Sequence, residues 1–440
     1  MSGELRGPSP AVEAALGAHP PFLAQGHHAA LAPLHARGIE RLRALDFPTI
    51  QDEAWRYTNL KAVANRAFLP SARGDHGWTA EALAERSPAD LDGPRLVFVD
   101  GRFAPHLSAT VGLPEGVLLC SLAEALARHP ARVTPFLGGI LPSQGQPLVA
   151  LNEAFLQDGA FLWVPRGVVV EAPIHLIFAA SRGGREVMSC PRSLWVVDPH
   201  AQVTLVEQWV GDQGAHLTSS AAEIYVADGA VVQHTRMFSE GAEDVHVASS
   251  SVVLGRGSNY QSRTWWLGGA LVRNDQSIKH AGERSECRAD GVYVVHGQRH
   301  VDTRTVVDHA VPLCNSNQLC KGILLDKGRG VFQGKVIVRQ DAQKTNAYQS
   351  NPNLLLSPQA TADTRPQLEI YADDVRCTHG AAVGGALDED ALFYLRARGV
   401  PAALAKRLLT AAFAQELVEA EPLPAVRDFL TRALQHTLEA

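Results

Sequence analysis

The pattern of apolar positions divides the chain of 440 residues into helical ends and a long β-rich middle. In the N-terminal segments AVEAALGAHPPFLAQ and HHAALAPLHARGIERLRALDF, alanine and leucine recur every three or four residues, the period of an amphipathic helix, and Pro20 and Pro21 interrupt it. An N-terminal helical region is therefore predicted over residues 1–95. Trp55 and Tyr57 in QDEAWRYTNLKAV are interpreted as a core aromatic pair on such a helix.

From about Arg95 the pattern changes to a mixed one. RLVFVDGRF predicts a strand, an Asp-Gly turn and a second strand, whereas SLAEALARHPARVTPFL predicts helix. We therefore expect a mixed α/β connecting segment over residues 96–158.

Residues 159–385 consist of short β-branched segments with turns between them, and these segments repeat. The turns VPRGVVV, VDPHAQV, VADGAVV and LGRGSNY can be superposed, and LLDKGRGVFQGKVIV from Leu324 resembles a later copy. A near-constant period is typical of a solenoid, in which stacking buries the apolar side of each coil. The pattern favours a β-helix core, with a β-sandwich as the alternative because strand pairs of this length also suit hairpins. The four turns begin, at steps of 33, 29 and 28 residues, at Val164, Val197, Val226 and Leu254.

The last part of the chain, residues 386–440, is predicted to be a C-terminal helical domain. LDEDALFYLRARG has acidic residues in its first turn and Gly399 after its last, both typical helix ends, and Pro401 opens the next helix. Packing on the end of the solenoid and docking of a partner are both open for these helices. One predicted apolar face consists of Leu404, Leu408, Ala412, Phe413 and Leu417.

Composition narrows the partners and the compartment. The net charge is −6 and there is no long basic run, which argues against nucleic acid as a partner. No segment approaches the roughly 18 apolar residues of a membrane-spanning helix, and MSGELRGPSP lacks the features of a secretory signal. The six cysteines are scattered without CxxC spacing, as in a protein with reduced thiols. A cytoplasmic location is therefore expected.

Common enzyme signatures are absent. GRGVFQGKVIV resembles a phosphate-binding P-loop around Lys335, but the motif requires glycine where the chain has Arg329, and serine or threonine where it has Val336. We therefore expect a protein that is not an enzyme and does not itself hydrolyse ATP.

The segment YADDVRCTHGAAVGG, which ends at Gly385, places Cys377 and His379 two residues apart. On an extended strand both side chains would project from the same face. They are candidates for half of a metal site or for a nucleophile beside its base, and a purely structural role is the alternative.

A second polar segment precedes it, between Arg299 and Gly322. Its side chains include possible ligands of a transition metal, but its alternation is equally typical of a strand with one solvated face, and we favour that interpretation. The residues concerned are His300, Asp302, Arg304, Asp308, His309, Cys314 and Cys320.

The runs DTRTVVDHAVPLCNSNQLCKGIL, GVFQGKVIVRQDAQKTNAYQSNPNLLLS and TRPQLEIYADDVRCTHGAAVG resemble the SufB/SufD family of iron–sulfur cluster assembly proteins. EAWRYTNL and the RCTHGA form resemble the SufD branch rather than the SufB branch. The resemblance implies a mainly β fold, a right-handed parallel β-helix flanked by N-terminal and C-terminal α-helical regions.

The resemblance also implies a function. The chain would be a non-catalytic subunit of the SUF scaffold complex, paired with a SufB-like chain through the β-helix and with a SufC-like ABC-type ATPase through the C-terminal helices. His379 matches the family residue at the SufB–SufD interface, where the nascent cluster forms, and Cys377 is a weaker candidate ligand. No cofactor is expected to be tightly bound in the isolated chain, only transient iron or an iron–sulfur cluster in the complex.

Three alternatives stay open at this point. The chain would be a SufB-like main scaffold if the CTH triplet were misleading. It would be a solenoid carbohydrate enzyme if paired carboxylates lined an aromatic groove, although only 6% of its residues are aromatic. The third open point is whether the chain forms a homodimer when it is without partners.

Overall fold

The computed structural model describes residues 8–25, 29–71, 77–182, 185–384 and 387–439. Helices lie at both ends of this part of the chain, and strands fill the middle. The helices are α1 (Pro10–Leu23), α2 (Ala32–Leu45), α3 (Lys61–Ala64), α4 (Ala80–Ala84), α5 (Leu122–Arg128), α6 (Pro130–Val133), α7 (Pro147–Ala154), α8 (Glu389–Ala397), α9 (Ala402–Glu419) and α10 (Pro424–Glu439). The strands are β1 (Leu69–Pro70), β2 (Arg95–Val99), β3 (Arg102–Phe103), β4 (Leu118–Ser121), β5 (Ala160–Val164), β6 (Ile174–Ala179), β7 (Arg185–Ser189), β8 (Arg192–Val197), β9 (Gln202–Val210), β10 (Ala215–Val226), β11 (Val231–Ser239), β12 (Val245–Leu254), β13 (Asn259–Trp266), β14 (Leu271–His280), β15 (Glu286–Val295), β16 (His300–His309), β17 (Asn315–Leu324), β18 (Arg329–Val338), β19 (Asn346–Leu355), β20 (Thr361–Ile370) and β21 (Arg376–Gly384).

The strands form two sheets between which the chain alternates. The first sheet has the order β20-β18-β16-β14-β12-β10-β8-β5-β4, and the second sheet has the order β21-β19-β17-β15-β13-β11-β9-β6-β2-β3. From β8 onward each strand of these two paths pairs in parallel with the strand two places along the chain, as β10 does with β12. This is a parallel β-helix of about 8 turns. The β-sandwich alternative is wrong, because consecutive strands pass to opposite sheets instead of closing hairpins.

The sequence repeat corresponds to the coils. Val164, Val197, Val226 and Leu254 end β5, β8, β10 and β12, and each is the register partner of the next in the first sheet. Leu324 ends β17 instead, where it pairs with Val295 in the second sheet. The fifth copy is therefore half a coil out of phase with the others.

Side chains fill the interior between the two sheets. Phe178, Trp209, Phe238 and Trp266 occupy matching positions in successive strands of the second sheet, and their rings stack at centroid distances of 4.3, 6.3 and 6.2 Å. All four are buried. Each buried side chain of this size contributes roughly 1.5–3 kcal/mol relative to exposure, so the stack is a large part of what holds adjacent coils in register.

The N-terminal region packs on the outer face of the first sheet, where Phe22, Trp55 and Phe155 share an apolar cluster with Leu217 and Val247. Two predictions for it are wrong. Helix α1 continues through both prolines to Leu23, with Pro20 and Pro21 in its last turn. Trp55 lies in a short 3₁₀ turn, Glu53–Trp55, and not on an α-helix.

The C-terminal helices pack on the outer face of the second sheet and not on the end of the solenoid. Leu417 and Val418 of α9 and Leu430 of α10 contact Trp265 and Val292 of that face. The capping predictions are confirmed, since the Asp388 side chain accepts bonds from the first turn of α8 and Gly399 has φ +87°. Of the five residues of the predicted apolar face of α9, only Leu417 is buried. The buried residues of the helix are Ala405, Thr410, Ala414, Leu417 and Val418.

The connecting segment contributes to both sheets. β2 pairs in parallel with β6, β4 pairs antiparallel with β5, and the predicted Asp-Gly turn joins β2 to β3. The predicted boundary between residues 385 and 386 lies outside the described residues.

Candidate functional site

The last coil of the β-helix, β20 with β21, is open on one side. Each strand pairs with one earlier strand, β18 or β19, and within the described ranges no further strand continues either sheet. The residues of β21 are exposed, with the exception of the half-buried Cys377.

Cys377 and His379 occupy interior columns of the β-helix. Their register partners in β19 are Ala347 and Gln349, both buried. Side chains alternate between the two faces of a strand, so Cys377 and His379 project to the same inner side as these two residues. They differ in that no coil in the described part of the chain covers them, which leaves His379 exposed at the end of its column.

The electrostatic setting differs for the two residues. Cys377 packs against the interior apolar cluster, and this burial raises the pKa of its thiol, so the isolated chain holds it as a thiol at neutral pH. The column below His379 is polar, since Gln349 Nε2 donates to Gln318 Oε1 at 3.0 Å. Gln349 Oε1 is buried and accepts no hydrogen bond from the residues described.

The surface around this end combines glycines on β21 with exposed apolar side chains on the neighbouring strands. A Cβ added at Gly380 or Gly384 would meet open space, and Gly385, which ends the YADDVRCTHGAAVGG segment, lies outside the described residues. Large apolar side chains are exposed on the last two coils and the connection between them. These are Tyr348, Ile370, Tyr371 and Val383.

The chain matches two family models that together span most of its length. The model described as "SUF system FeS cluster assembly, SufBD core domain" matches residues 178–413, and "SufBD protein N-terminal region" matches residues 19–176. The chain belongs to the SufBD family. This SufBD chain is 34% identical to the iron–sulfur cluster assembly protein SufD of Escherichia coli, over 88% of the chain and 89% of that protein. It is 32% identical to an iron–sulfur cluster assembly SufBD family protein of Synechocystis, over 89% of the chain and 88% of that protein.

A third relative, SufD of Bacillus subtilis, is 27% identical over 76% of the chain and 77% of that protein. The chain is thus a SufD-like protein of iron–sulfur cluster assembly, which confirms the family prediction. In the described ranges no helix is long and apolar enough to cross a membrane. The cytoplasmic location stays a prediction.

The P-loop-like segment of the SufBD chain forms strand β18 instead of a loop before a helix. Lys335, which would bind phosphate in a P-loop, forms an ion pair with Glu369 at 2.7 Å. The segment therefore belongs to the wall of the β-helix.

The solvated-face interpretation of the segment around β16 is wrong for its central residues. Asp302 and His309 are fully buried, and Cys314 and Cys320 are buried as well. Only part of the segment faces solvent, for example Asp308, which pairs with the exposed Arg339 at 2.8 Å. The error has a physical reason, because the N-terminal segment covers the outer face of the first sheet at Asp302, and His309 projects into the interior.

Sequence reasoning also missed which of these residues meet. His309 and Cys314 lie close to His280 of the preceding coil, and their ligand atoms are within 4.8 Å of one another. The repeat offered a signal, because a step of 29 residues connects His280 to His309. In the described part of the chain, Cys377 and His379 are joined by no third residue in a comparable group.

Proposed function

We propose that this SufD-like chain is a non-catalytic subunit of a SUF scaffold complex, and that the open end of its β-helix contributes ligands to a site shared with a partner chain. The observation that carries the proposal is the exposure of His379 and Cys377 at the end of interior columns. Iron, or the nascent cluster, is the cargo of this site rather than a resident cofactor.

The ligand chemistry supports this role. Imidazole nitrogen and thiolate sulfur both bind iron, and replacing a thiolate by a histidine changes the charge and potential of a cluster site. Two side chains fall short of the four ligands of a closed site. The remaining ligands therefore come from the partner, and binding of metal or cluster drives deprotonation of the Cys377 thiol.

The partner at this end is a SufB-like chain. An uncovered edge strand such as β21 offers unpaired backbone groups to another strand, and the absence of side-chain bulk at Gly380 and Gly384 lets a second backbone approach. The exposed Tyr371 and Val383 add apolar surface at the same end. A homodimer of the isolated chain would use this end too.

The second partner is a SufC-like ABC-type ATPase, which binds at α8 and the first half of α9. Helix α8 has no buried residue, and Phe393 and Tyr394 are 74% and 56% exposed. Leu404 and Leu408 of α9 are also exposed. ATP hydrolysis belongs to this partner, because the P-loop-like segment here is a strand.

The packing of α9 and α10 determines how docking is tested. Removal of all residues after Asp388 would uncover Trp265 and Val292, so a truncated chain would lose part of its fold together with the docking surface. Single exposed residues are the better target.

The decisive experiment is His379→Ala in a complex co-expressed with SufB-like and SufC-like chains. We expect normal assembly but at least a severalfold loss of iron and acid-labile sulfide after anaerobic purification, and a smaller loss for Cys377→Ala, whose sulfur is half-buried. Thr378→Ala is the matched control, because Thr378 is exposed on the opposite face of the same strand. Normal iron and sulfide content in the His379→Ala complex would refute the proposed site.

A further inference from the structure

A second group of potential ligands lies inside the β-helix, at the corner between the two sheets. His280 ends β14 and His309 ends β16, and the two are register partners in adjacent coils. Their rings stack almost parallel, with centroids 4.2 Å apart and an interplanar angle of 11°. Cys314 follows in the turn before β17, and all three residues are fully buried.

The ring nitrogens divide into two sets. Nε2 of His280 contacts Cys287 Sγ at 3.4 Å, and Nε2 of His309 contacts Ser316 Oγ at 2.9 Å. Cys287 and Ser316 are themselves register partners, so both rings point Nε2 in the same direction. The Nδ1 atoms therefore share the other side.

That other side holds the Cys314 thiol. The Ser285 hydroxyl contacts both His280 Nδ1, at 2.8 Å, and Cys314 Sγ, at 3.4 Å, which places the sulfur beside the Nδ1 atoms. Nδ1 of His309 is buried and has no hydrogen-bond partner among the residues that the structure describes. A buried nitrogen without a partner costs stability, so something more than packing is expected of it.

The group is a polar layer within an otherwise apolar column. The register neighbour of His280 in the preceding coil is Leu254, and that of His309 in the next coil is Val338. Burial lowers the pKa of His309 to about 4 and that of His280 well below its ordinary value.

We propose that His280, His309 and Cys314 bind one divalent first-row transition metal ion of the Fe²⁺ or Zn²⁺ type inside the β-helix. Metal–nitrogen bonds near 2.0–2.1 Å and metal–sulfur bonds near 2.3 Å require ligand atoms about 3.3–3.6 Å apart in a tetrahedral site. The three ligand atoms already lie within 4.8 Å of one another, and binding requires the two stacked rings to tilt so that both Nδ1 lone pairs point at the ion. Ser285 Oγ or a water takes the fourth position.

The surroundings fit such a site. Ser316 and Cys287 hold the Nε2 atoms, as partners outside the ligand shell do for metal-binding histidines. Two imidazoles and a thiolate prefer transition metals over Mg²⁺ or Ca²⁺. A groove of about 440 Å³ outside the second sheet has Cys287 and Ser316 in its lining. The site lies two coils below Cys377, since Ser316 pairs with Ala347, and Ala347 pairs with Cys377.

Cobalt(II) alone is the probe for this site, because a thiolate–cobalt bond gives a near-ultraviolet charge-transfer band and tetrahedral cobalt gives strong visible bands. The titration uses the full chain carrying Cys377→Ala and His379→Ala, so that its outcome is independent of the proposed open-end site. We expect one Co²⁺ per chain with both bands, and a higher melting temperature when the ion is bound.

Cys314→Ser should abolish the charge-transfer band and weaken cobalt binding at least tenfold, and His309→Gln should weaken it to a similar extent. Cys320→Ser is the matched control, since Cys320 is equally buried in the same sheet but outside the group, and it should bind as the parent does. Absence of the charge-transfer band in the parent, or an unchanged band in Cys314→Ser, would overturn the proposal. Circular dichroism of each variant confirms that it is folded before the titration.

Discussion

The joint between the N-terminal region and the β-helix depends on one buried arginine, Arg273. Its Nη1 donates to Asp302 at 2.5 Å, and its Nε and Nη2 donate to the two carboxylate oxygens of Asp275, both at 3.0 Å. The centre of its guanidinium lies 3.8 Å from the centre of the Trp55 ring, and the Thr58 hydroxyl donates to Asp302. One side chain thus links two coils to the EAWRYTNL segment.

We predict that Arg273→Met, which keeps most of the apolar volume, destabilises the protein by about 3–5 kcal/mol at pH 7. This is the usual cost of removing one partner from a buried ion pair, since it leaves the fully buried Asp302 without a cation. Burial already raises the pKa of Asp302, and Arg273 opposes that shift. The lost contact with Trp55 accounts for up to about 2 kcal/mol of the total.

The charge argument makes a sharper prediction for the double variant. Asp302→Asn removes the carboxylate that Arg273 compensates, so Arg273→Met should cost at least about 2 kcal/mol less in that background. The single variant Arg273→Met, which keeps Asp302, should also regain stability as the pH falls. In the folded chain Asp302 would then have a pKa above its unfolded value, so the folded state would bind the proton first and gain stability on acidification relative to wild type.

Urea unfolding followed by circular dichroism, at pH 7 and pH 5, measures these differences. Arg339→Met is the control, because its pair with Asp308 is solvent-exposed and is expected to contribute less than about 1 kcal/mol. A cost below 1 kcal/mol for Arg273→Met, or strict additivity with Asp302→Asn, would refute the reasoning.

Two further predictions concern buried charge and docking. His175 is buried and its pKa is lowered to about 4, so protonation of the unfolded chain between pH 7 and pH 5 should reduce stability by about 2 kcal/mol, and His175→Gln should remove this part of the pH dependence. Identical slopes of unfolding free energy against pH for the two proteins would contradict it. Phe393→Ser together with Leu408→Ser should weaken binding of a SufC-like ATPase at least tenfold in a pull-down or calorimetric titration, without lowering the melting temperature by more than a few degrees. The control is Val111→Ser, because Val111 is an exposed apolar residue far from α8 and α9 in the sequence. Undiminished binding by the double variant would exclude α8 and α9 as the docking surface.

The solenoid was predictable because its signal is local and repeated. Val164, Val197 and Val226 each end a strand at the same corner, so the turn chemistry recurs at nearly constant spacing. The pattern of a single strand is ambiguous, but several copies of the same strand and turn at a near-constant spacing are typical of a solenoid. The copy at Leu324 shows the limit of the method, because the two corners of a coil have similar turns and the sequence does not say which corner is which.

The faces of the strands were not predictable from alternation. Asp302 is buried because the N-terminal segment covers the first sheet there, through Thr58 and Trp55, which lie some 240 residues earlier in the chain. His309 is buried because it faces the interior. Asp302 and His309 lie on opposite faces of the same alternating strand pattern. The pattern does not show which face is covered, and only the tertiary packing decides it.

The exposure of Cys377 and His379 follows from the geometry of a solenoid. Every interior residue of a coil is covered by the coils before and after it, as Ala347 and Gln349 are. Among the described residues the last coil has no second neighbour, so its interior residues are left uncovered at that end, and its strand edges are free to pair. A cysteine and a histidine in this coil can therefore bind a ligand without any cavity being built for them. In the proposed site one chain would not surround that ligand, since the uncovered end of the last coil would also be the open half of the site. A second β-helix, stacked on this end, would supply both the cover and the remaining ligands.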